Sequence, residues 1–225
     1  YGCFKAINFF EMPEEGTDFY YLKEVPHGDV RIMKYKSQVN SHIKACFVYT
    51  PPGYEEKRDR EYPVLYLQHG AGENETGWIW SGKLNLILDN LIEEKKCTEM
   101  IVVMCCGYSF IPETDPVFYP GDFDKELTED CIPCIEKEFR VKKGRAYRAI
   151  AGLSMGSAQA MLTFAKHQNL FGYLGVFSGM ADTELDKILT EKTYAAYHIF
   201  LSCGKGEERL LEKQQTACMQ LLEQG

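Results

Sequence analysis

The sequence predicts a three-layer α/β/α fold with a mostly parallel central sheet. From Tyr62 onward, short apolar runs alternate with segments whose apolar residues recur at helical spacing, the pattern of parallel strands joined by crossover helices. Runs such as Val64-Leu65-Tyr66-Leu67 and Met100-Ile101-Val102-Val103-Met104 are continuously hydrophobic, as strands covered on both faces must be. A chain of 225 residues with 45% hydrophobic and 26% charged residues is long enough to bury one substantial core.

Residues 1–24 are aromatic-rich without a clear period and read as a linker or the remnant of a preceding module; residues 25–225 read as one domain. Val30 to Tyr35 and Ala45 to Tyr49 alternate as an antiparallel pair, which Pro51-Pro52-Gly53-Tyr54 ends. The charged run Glu55 to Glu61 is a solvated loop. Pro63 opens the Val64 strand at a position that tolerates proline. Leu84, Ile87, Leu88, Leu91 and Ile92 define one apolar helix face. A helix around residues 125–139 carries Pro133 and should kink or restart there. Tyr147 to Ala151 is a strand, Ser157 to Lys166 a helix, and Leu174 to Phe177 and His198 to Leu201 are further strands. Leu210, Leu211, Gln214, Cys218, Leu221 and Leu222 mark a closing amphipathic helix.

A net charge of −8 argues against nucleic acid or an anionic membrane as the main partner, and no apolar run is long enough to span a bilayer. No signal peptide is visible, but the chain begins at Tyr1, so export stays open. The nine cysteines have no zinc-site spacing, and no metal or cofactor is called for. Cys131 and Cys134 lie in a helical pattern and read as one core-facing stripe rather than a redox pair.

Gly152-Leu153-Ser154-Met155-Gly156 carries the chemistry. A serine between two glycines on a strand-to-helix turn is the nucleophile elbow of serine hydrolases. A Cβ at either flanking position would collide with neighbouring backbone. Ser154 is the nucleophile, and the Met155 N–H, at the positive end of the following helix, is one oxyanion donor. The second donor belongs to the loop Gln68-His69-Gly70-Ala71-Gly72, with the Ala71 N–H as the candidate. His69 precedes the serine and ends the strand feeding that loop, so it reads as structural. The acid should follow the strand two beyond the elbow, where Glu207 is the first choice and Glu208 the second; both also suit a helix N-terminus. No histidine follows Glu207. Of the five, His167 ends the elbow helix and His198 lies within a strand read as buried.

Together with these residues, Val25-Pro26-His27-Gly28-Asp29-Val30-Arg31, Phe47 to Tyr54, Tyr62 to Gly70, and Gly72-Glu73-Asn74-Glu75-Thr76-Gly77-Trp78 make a resemblance specific. The chain resembles the feruloyl and acetyl-xylan esterases of carbohydrate esterase family one, within the esterase D group of α/β-hydrolases. The resemblance implies an α/β-hydrolase fold lacking its last strand and helix. It also implies a serine esterase that frees hydroxycinnamate or acetate from plant xylan through an acyl-enzyme on Ser154. Glu207 stands where the family usually has Asp, and Trp78 matches an aromatic near the cleft that packs on substrate or core. The family's histidine follows one more strand, so this chain is expected to be the C-terminally incomplete form of an esterase. It would retain only the ~10³–10⁴-fold help of oxyanion hole and binding, and its Tyr197–Ser202 edge would be exposed. The competing expectations are a non-catalytic carbohydrate-binding pseudo-esterase and another esterase D relative acting on thioesters or siderophores. The resemblance favours a secreted or extracytoplasmic location, while the unpaired thiols favour a reducing one.

Overall fold

The computed structural model describes residues 10–12, 14–111, 120–179 and 196–223. Its centre is a seven-stranded sheet in the order β1-β2-β4-β3-β5-β6-β7. The strands are β1 Asp29–Lys36, β2 Ile43–Thr50, β3 Val64–Gln68, β4 Ile101–Cys105, β5 Arg148–Leu153, β6 Tyr173–Phe177 and β7 His198–Ser202. β1 pairs antiparallel with β2 and β2 antiparallel with β4, while β3 to β7 are mutually parallel. The alternating pair and the continuous apolar runs of the sequence therefore lie where their periodicities put them.

Helices cover both faces. α1 Gly77–Trp80 and α2 Leu84–Glu93 lie on one side, where Leu88, Ile79, Leu84 and Ile92 pack with Tyr49, Leu67, Val102 and Met104. The other side carries α3 Phe123–Lys125, a π-helical turn Glu126–Cys131, α4 Ile132–Glu138, α5 Met155–Lys166 and α6 Glu208–Glu223. There Leu127, Ile135, Met161, Phe164 and Ala217 meet Tyr66, Val103, Ile150 and Val176. Successive residues of β3, Tyr66 and Leu67, enter opposite cores, which is why that strand is apolar throughout. At Pro133 the helix neither stops nor restarts: α3, the π-turn and α4 follow without a break, and the turn widens just ahead of the proline, which lacks the N–H of a regular helical bond. Cys131 is fully buried and Cys134 packs beside it, so both face the same core.

Two departures concern the margins. β7 lies at the edge of the described sheet, and His198 is exposed rather than buried; Phe200 and Tyr197 are half exposed. An edge strand needs fewer covering side chains than its apolar composition suggests. The segment ahead of β1, for its described part, is tied to the domain: Asn90 Nδ2 on α2 donates to the carbonyls of Phe19 and Tyr21, each at 2.9 Å. Residues 1–9 of the expected linker lie outside the described residues.

The topology also fixes where a site can form. β4 and β5 flank β3 on opposite sides, so the order of the chain reverses there. Ligands of open parallel sheets bind outside the carboxyl ends of the strands at such a reversal. Gln68 at the end of β3 is in register with Gly152 of β5, and Leu153 with Phe177, which pairs in turn with Ser202. The segments after β3, β5 and β7 thus leave the sheet on one edge.

Candidate active site

Ser154 sits between β5 and α5 with φ of 53° and ψ of −113°, a backbone conformation sparsely populated for an L-residue. Several contacts hold it. Its N–H donates to the Phe177 carbonyl at 2.9 Å, and its own carbonyl accepts from the Ser157 hydroxyl at 2.6 Å and the Ser157 N–H at 3.0 Å. The flanking glycines are required by space. A Cβ on Gly152 would lie 2.2 Å from the Gly156 carbonyl oxygen, and one on Gly156 would lie 2.5 Å from that of His69. Ser154 itself is exposed, at the corner the sequence predicts.

Met155 is the first residue of α5, so its N–H has no acceptor within the helix and carries the helix's positive end. Across the switch point, the loop after β3 approaches closely: a Cβ on Gly70 would stand 3.7 Å from Ser154 Cβ. Three consecutive N–H groups in that loop have different fates. That of Gly70 donates to Glu73 Oε2 at 2.9 Å and that of Gly72 to the Tyr108 hydroxyl at 2.8 Å. The Ala71 N–H between them has no acceptor among the described residues, and Ala71 is exposed. A free donor from each of two segments at one corner is what a developing oxyanion needs.

His69 is buried, and both ring nitrogens are committed. Nδ1 donates to the Gly70 carbonyl at 2.8 Å and Nε2 accepts the Gly107 N–H at 2.8 Å. Burial lowers its pKa below the ordinary value, so the ring is neutral at pH 7 and holds no lone pair for a substrate proton. The structural role expected for it follows from this geometry. His27 pairs with Asp89 at 2.9 Å, and His167 caps the far end of α5. Among the described residues no hydrogen bond joins the Ser154 hydroxyl to a histidine.

Glu207 precedes α6 on the loop after β7; its Oε2 accepts the Gly204 N–H at 2.7 Å, and its carbonyl accepts from Leu210 and Leu211. It caps that turn and stands exposed on the same sheet edge as Ser154, two strands away. Glu208 is the first residue of α6. The indole N–H of Trp78 donates to the Gln68 carbonyl at 3.1 Å, and its ring meets Phe177 edge-on, with centroids 6.2 Å apart. That arrangement fixes Trp78 between the ends of β3 and β6, half-buried beneath the loop.

A cleft of about 250 Å³ adjoins the elbow. Met155, Gln159 and Thr163 line it from one face of α5, and Gly121, Phe123 and Asp124 face them. Gln159 Oε1 and Thr163 Oγ1 are buried there without a hydrogen-bond partner among the described residues. Sequence reasoning missed Gln159, Tyr108 and Asp89. Asp89 accepts bonds from the Gly28 N–H, the Tyr49 hydroxyl and His27, and so holds the Val25 to Gly28 stretch against α2. No local signal marks Asp89, which lies off the apolar stripe of Leu84, Ile87, Leu88, Leu91 and Ile92 and is buried by the chain ahead of β1.

An exposed serine at a strained β-to-α corner, beside two free N–H groups on a mostly parallel three-layer sheet, defines the α/β-hydrolase fold. The Esterase family model matches residues 37–225. The chain belongs to that family, and its fold is that of the carbohydrate esterase family one and esterase D-like enzymes. It is 39% identical over 214 residues to an endo-1,4-beta-xylanase/feruloyl esterase of Xylanibacter ruminicola; the match takes in 92% of this chain but 29% of that protein's length. Among solved structures, a CE1 ferulic acid esterase from Anaeromyces mucronatus, in complex with ferulic acid, superposes with a TM-score of 0.71 at 23% identity, covering 88% of this chain and 85% of the other. A feruloyl esterase module from Clostridium thermocellum complexed with sinapinate superposes with a TM-score of 0.74 at 20% identity, covering 94% and 78%. No described helix is long and apolar enough to cross a membrane.

Proposed function

We propose that the chain is a serine carboxylic-ester hydrolase acting on feruloyl or acetyl esters of plant cell-wall xylan. The exposed Ser154 hydroxyl beside the unpartnered N–H groups of Met155 and Ala71 is the observation that carries this reading. Ser154 Oγ attacks the ester carbonyl carbon, and the carbonyl oxygen gathers its charge against the two N–H groups. The tetrahedral intermediate collapses to an acyl-Ser154 ester as the sugar oxygen leaves with the proton that Ser154 gave up on attack. Water then cleaves the acyl-enzyme and returns the serine. Glu207 is assigned as the acid that orients the base, with Glu208 as its alternate, and Trp78, which stands outside the cleft beside Met155, as a substrate-binding aromatic. No described histidine is assigned as the base. The cleft beside Met155 offers apolar walls from Met155 and Phe123 to the acyl group. A polymeric substrate requires the enzyme to act outside the cytoplasm.

The test sets methyl ferulate, acetylated xylan and a glutathione thioester side by side with the full gene product and its Ser154→Ala variant. Turnover of either oxygen ester, together with fluorophosphonate labelling, should vanish in Ser154→Ala while the fold persists. Turnover confined to the thioester would point instead to another esterase D activity. Xylan binding without any turnover would point to a carbohydrate-binding pseudo-esterase.

A further inference from the structure

We propose that the backbone at Gly107 is a strut fixing the separation of the two oxyanion donors, with Gln159 and His69 as its positioning residues. The proposal rests on the serine-esterase reading above. Gly107 lies two residues beyond the end of β4 and uses both of its polar groups. Its carbonyl accepts from Gln159 Nε2 at 2.7 Å, and its N–H donates to His69 Nε2 at 2.8 Å. Gln159 is four residues after Met155, one turn on along the same face of α5, so it moves with that donor. His69 lies two residues before Ala71, and its Nδ1 donates to the Gly70 carbonyl. The two donors are therefore joined by three side-chain bonds through the backbone of Gly107, whose N–H and C=O belong to the two peptide units that meet at its Cα.

The strut is itself anchored. The next residue, Tyr108, accepts Lys44 Nζ on its carbonyl at 2.6 Å and the Gly72 N–H on its hydroxyl at 2.8 Å. Lys44 is paired with the buried Glu126 at 3.3 Å. A side chain at position 107 would push the strut aside: a Cβ there would lie 2.8 Å from Gln159 Oε1, 3.3 Å from Met155 Cε and 3.4 Å from His69 Nε2, so Gln159 would have to shift. Simple space-filling does not account for Gln159. Its bond to Gly107 leaves Oε1 buried without a partner among the described residues, an unfavourable arrangement that a methionine of similar volume would avoid. What the amide adds is a fixed distance between α5 and the loop after β3, and donors fixed before the reaction are what stabilise an oxyanion.

The experiment compares Gln159→Met, His69→Leu and the acceptor-retaining His69→Gln with wild type. Steady-state kinetics on an aryl ester are measured alongside thermal unfolding and amide hydrogen exchange. Losing a whole oxyanion donor costs about 10²–10³-fold in kcat, so misplacing one should cost roughly 10–10²-fold with KM nearly unchanged. Gln159→Met should show that drop with unfolding no earlier than wild type, and His69→Gln should recover most of what His69→Leu loses. Wild-type kcat in Gln159→Met, or a kcat loss that merely tracks lost folded protein, would overturn the strut. If His69→Leu does not fold, Gln159→Met alone decides. A full gene product that turns over no ester would overturn the esterase reading. The strut would then be judged by exchange at Gly107 and Gly72: faster exchange in Gln159→Met sustains it, and unchanged exchange overturns it.

Discussion

Ser154 and His69 show how single residues at this corner carry opposite constraints. Ser154 holds a conformation that costs on the order of 1–3 kcal/mol, and the surrounding bonds to Phe177 and Ser157 over-determine it. His69 is held neutral by burial, and a second proton would turn Nε2 into a donor facing the Gly107 N–H. The sign of the resulting pH dependence follows from the lowered pKa. Between the folded and unfolded values the unfolded chain binds the extra proton, so stability rises with pH. This contribution is fully present above the unfolded value of about 6.5 and is lost as pH falls through the folded one. The nearby carboxylates of Glu73 and Glu75 oppose the shift and Lys44 reinforces it, without reversing it. Urea unfolding of wild type between pH 7.5 and 5 should therefore lose stability faster than His69→Gln, by up to about 1.4 kcal/mol per pH unit. Equal slopes would mean that His69 stays accessible to protons in the fold.

At the level of elements, α2 does more than cover the sheet. Its apolar face packs on the second core, but Asp89 and Asn90, both buried, gather the chain ahead of β1. The Asp89 carboxylate satisfies the Gly28 N–H, the Tyr49 hydroxyl and His27 within one cluster. Tyr49 stays protonated there because burial and the adjacent carboxylate raise its pKa well above the usual phenol value. Replacing Asp89 with Ala removes the acceptor of the buried Tyr49 hydroxyl and of the half-buried Gly28 N–H, for a loss of about 2–3 kcal/mol. Asp89→Asn keeps one acceptor oxygen and should lose less. Denaturant unfolding of the two variants checks the order, and proteolysis should cut ahead of Asp29 first in Asp89→Ala. Equal stability in Asp89→Ala and wild type would mean that residues 19–28 are held by their apolar contacts alone.

Across the whole molecule, what could be read from the sequence and what could not divide by range. The seven strands and the Ser154 corner each announce themselves within a dozen residues, through periodicity or a glycine pair. The free Ala71 N–H was also inferred locally, from its place after a strand. The anchors are long-range. Asp89 meets His27 across 62 residues, and Glu126 meets Asn40 across 86, and no local pattern encodes such pairings. Glu126 is the clearest case. Its sequence context marks only a helix, yet its carboxylate accepts from the Tyr35 hydroxyl at 3.0 Å and Asn40 Nδ2 at 2.8 Å, and it pairs with Lys44. This cluster joins the antiparallel flank, the π-turn and, through the Tyr108 carbonyl, the loop beside Ser154. Removing one partner of a buried ion pair leaves an uncompensated charge, whereas removing both does not. Lys44→Met should therefore lose about 3–5 kcal/mol in urea unfolding. Adding Glu126→Gln, which keeps an acceptor for Tyr35 and Asn40, should restore at least half of it. A double variant no more stable than Lys44→Met would show that the lysine acts through its bond to Tyr108 rather than through charge.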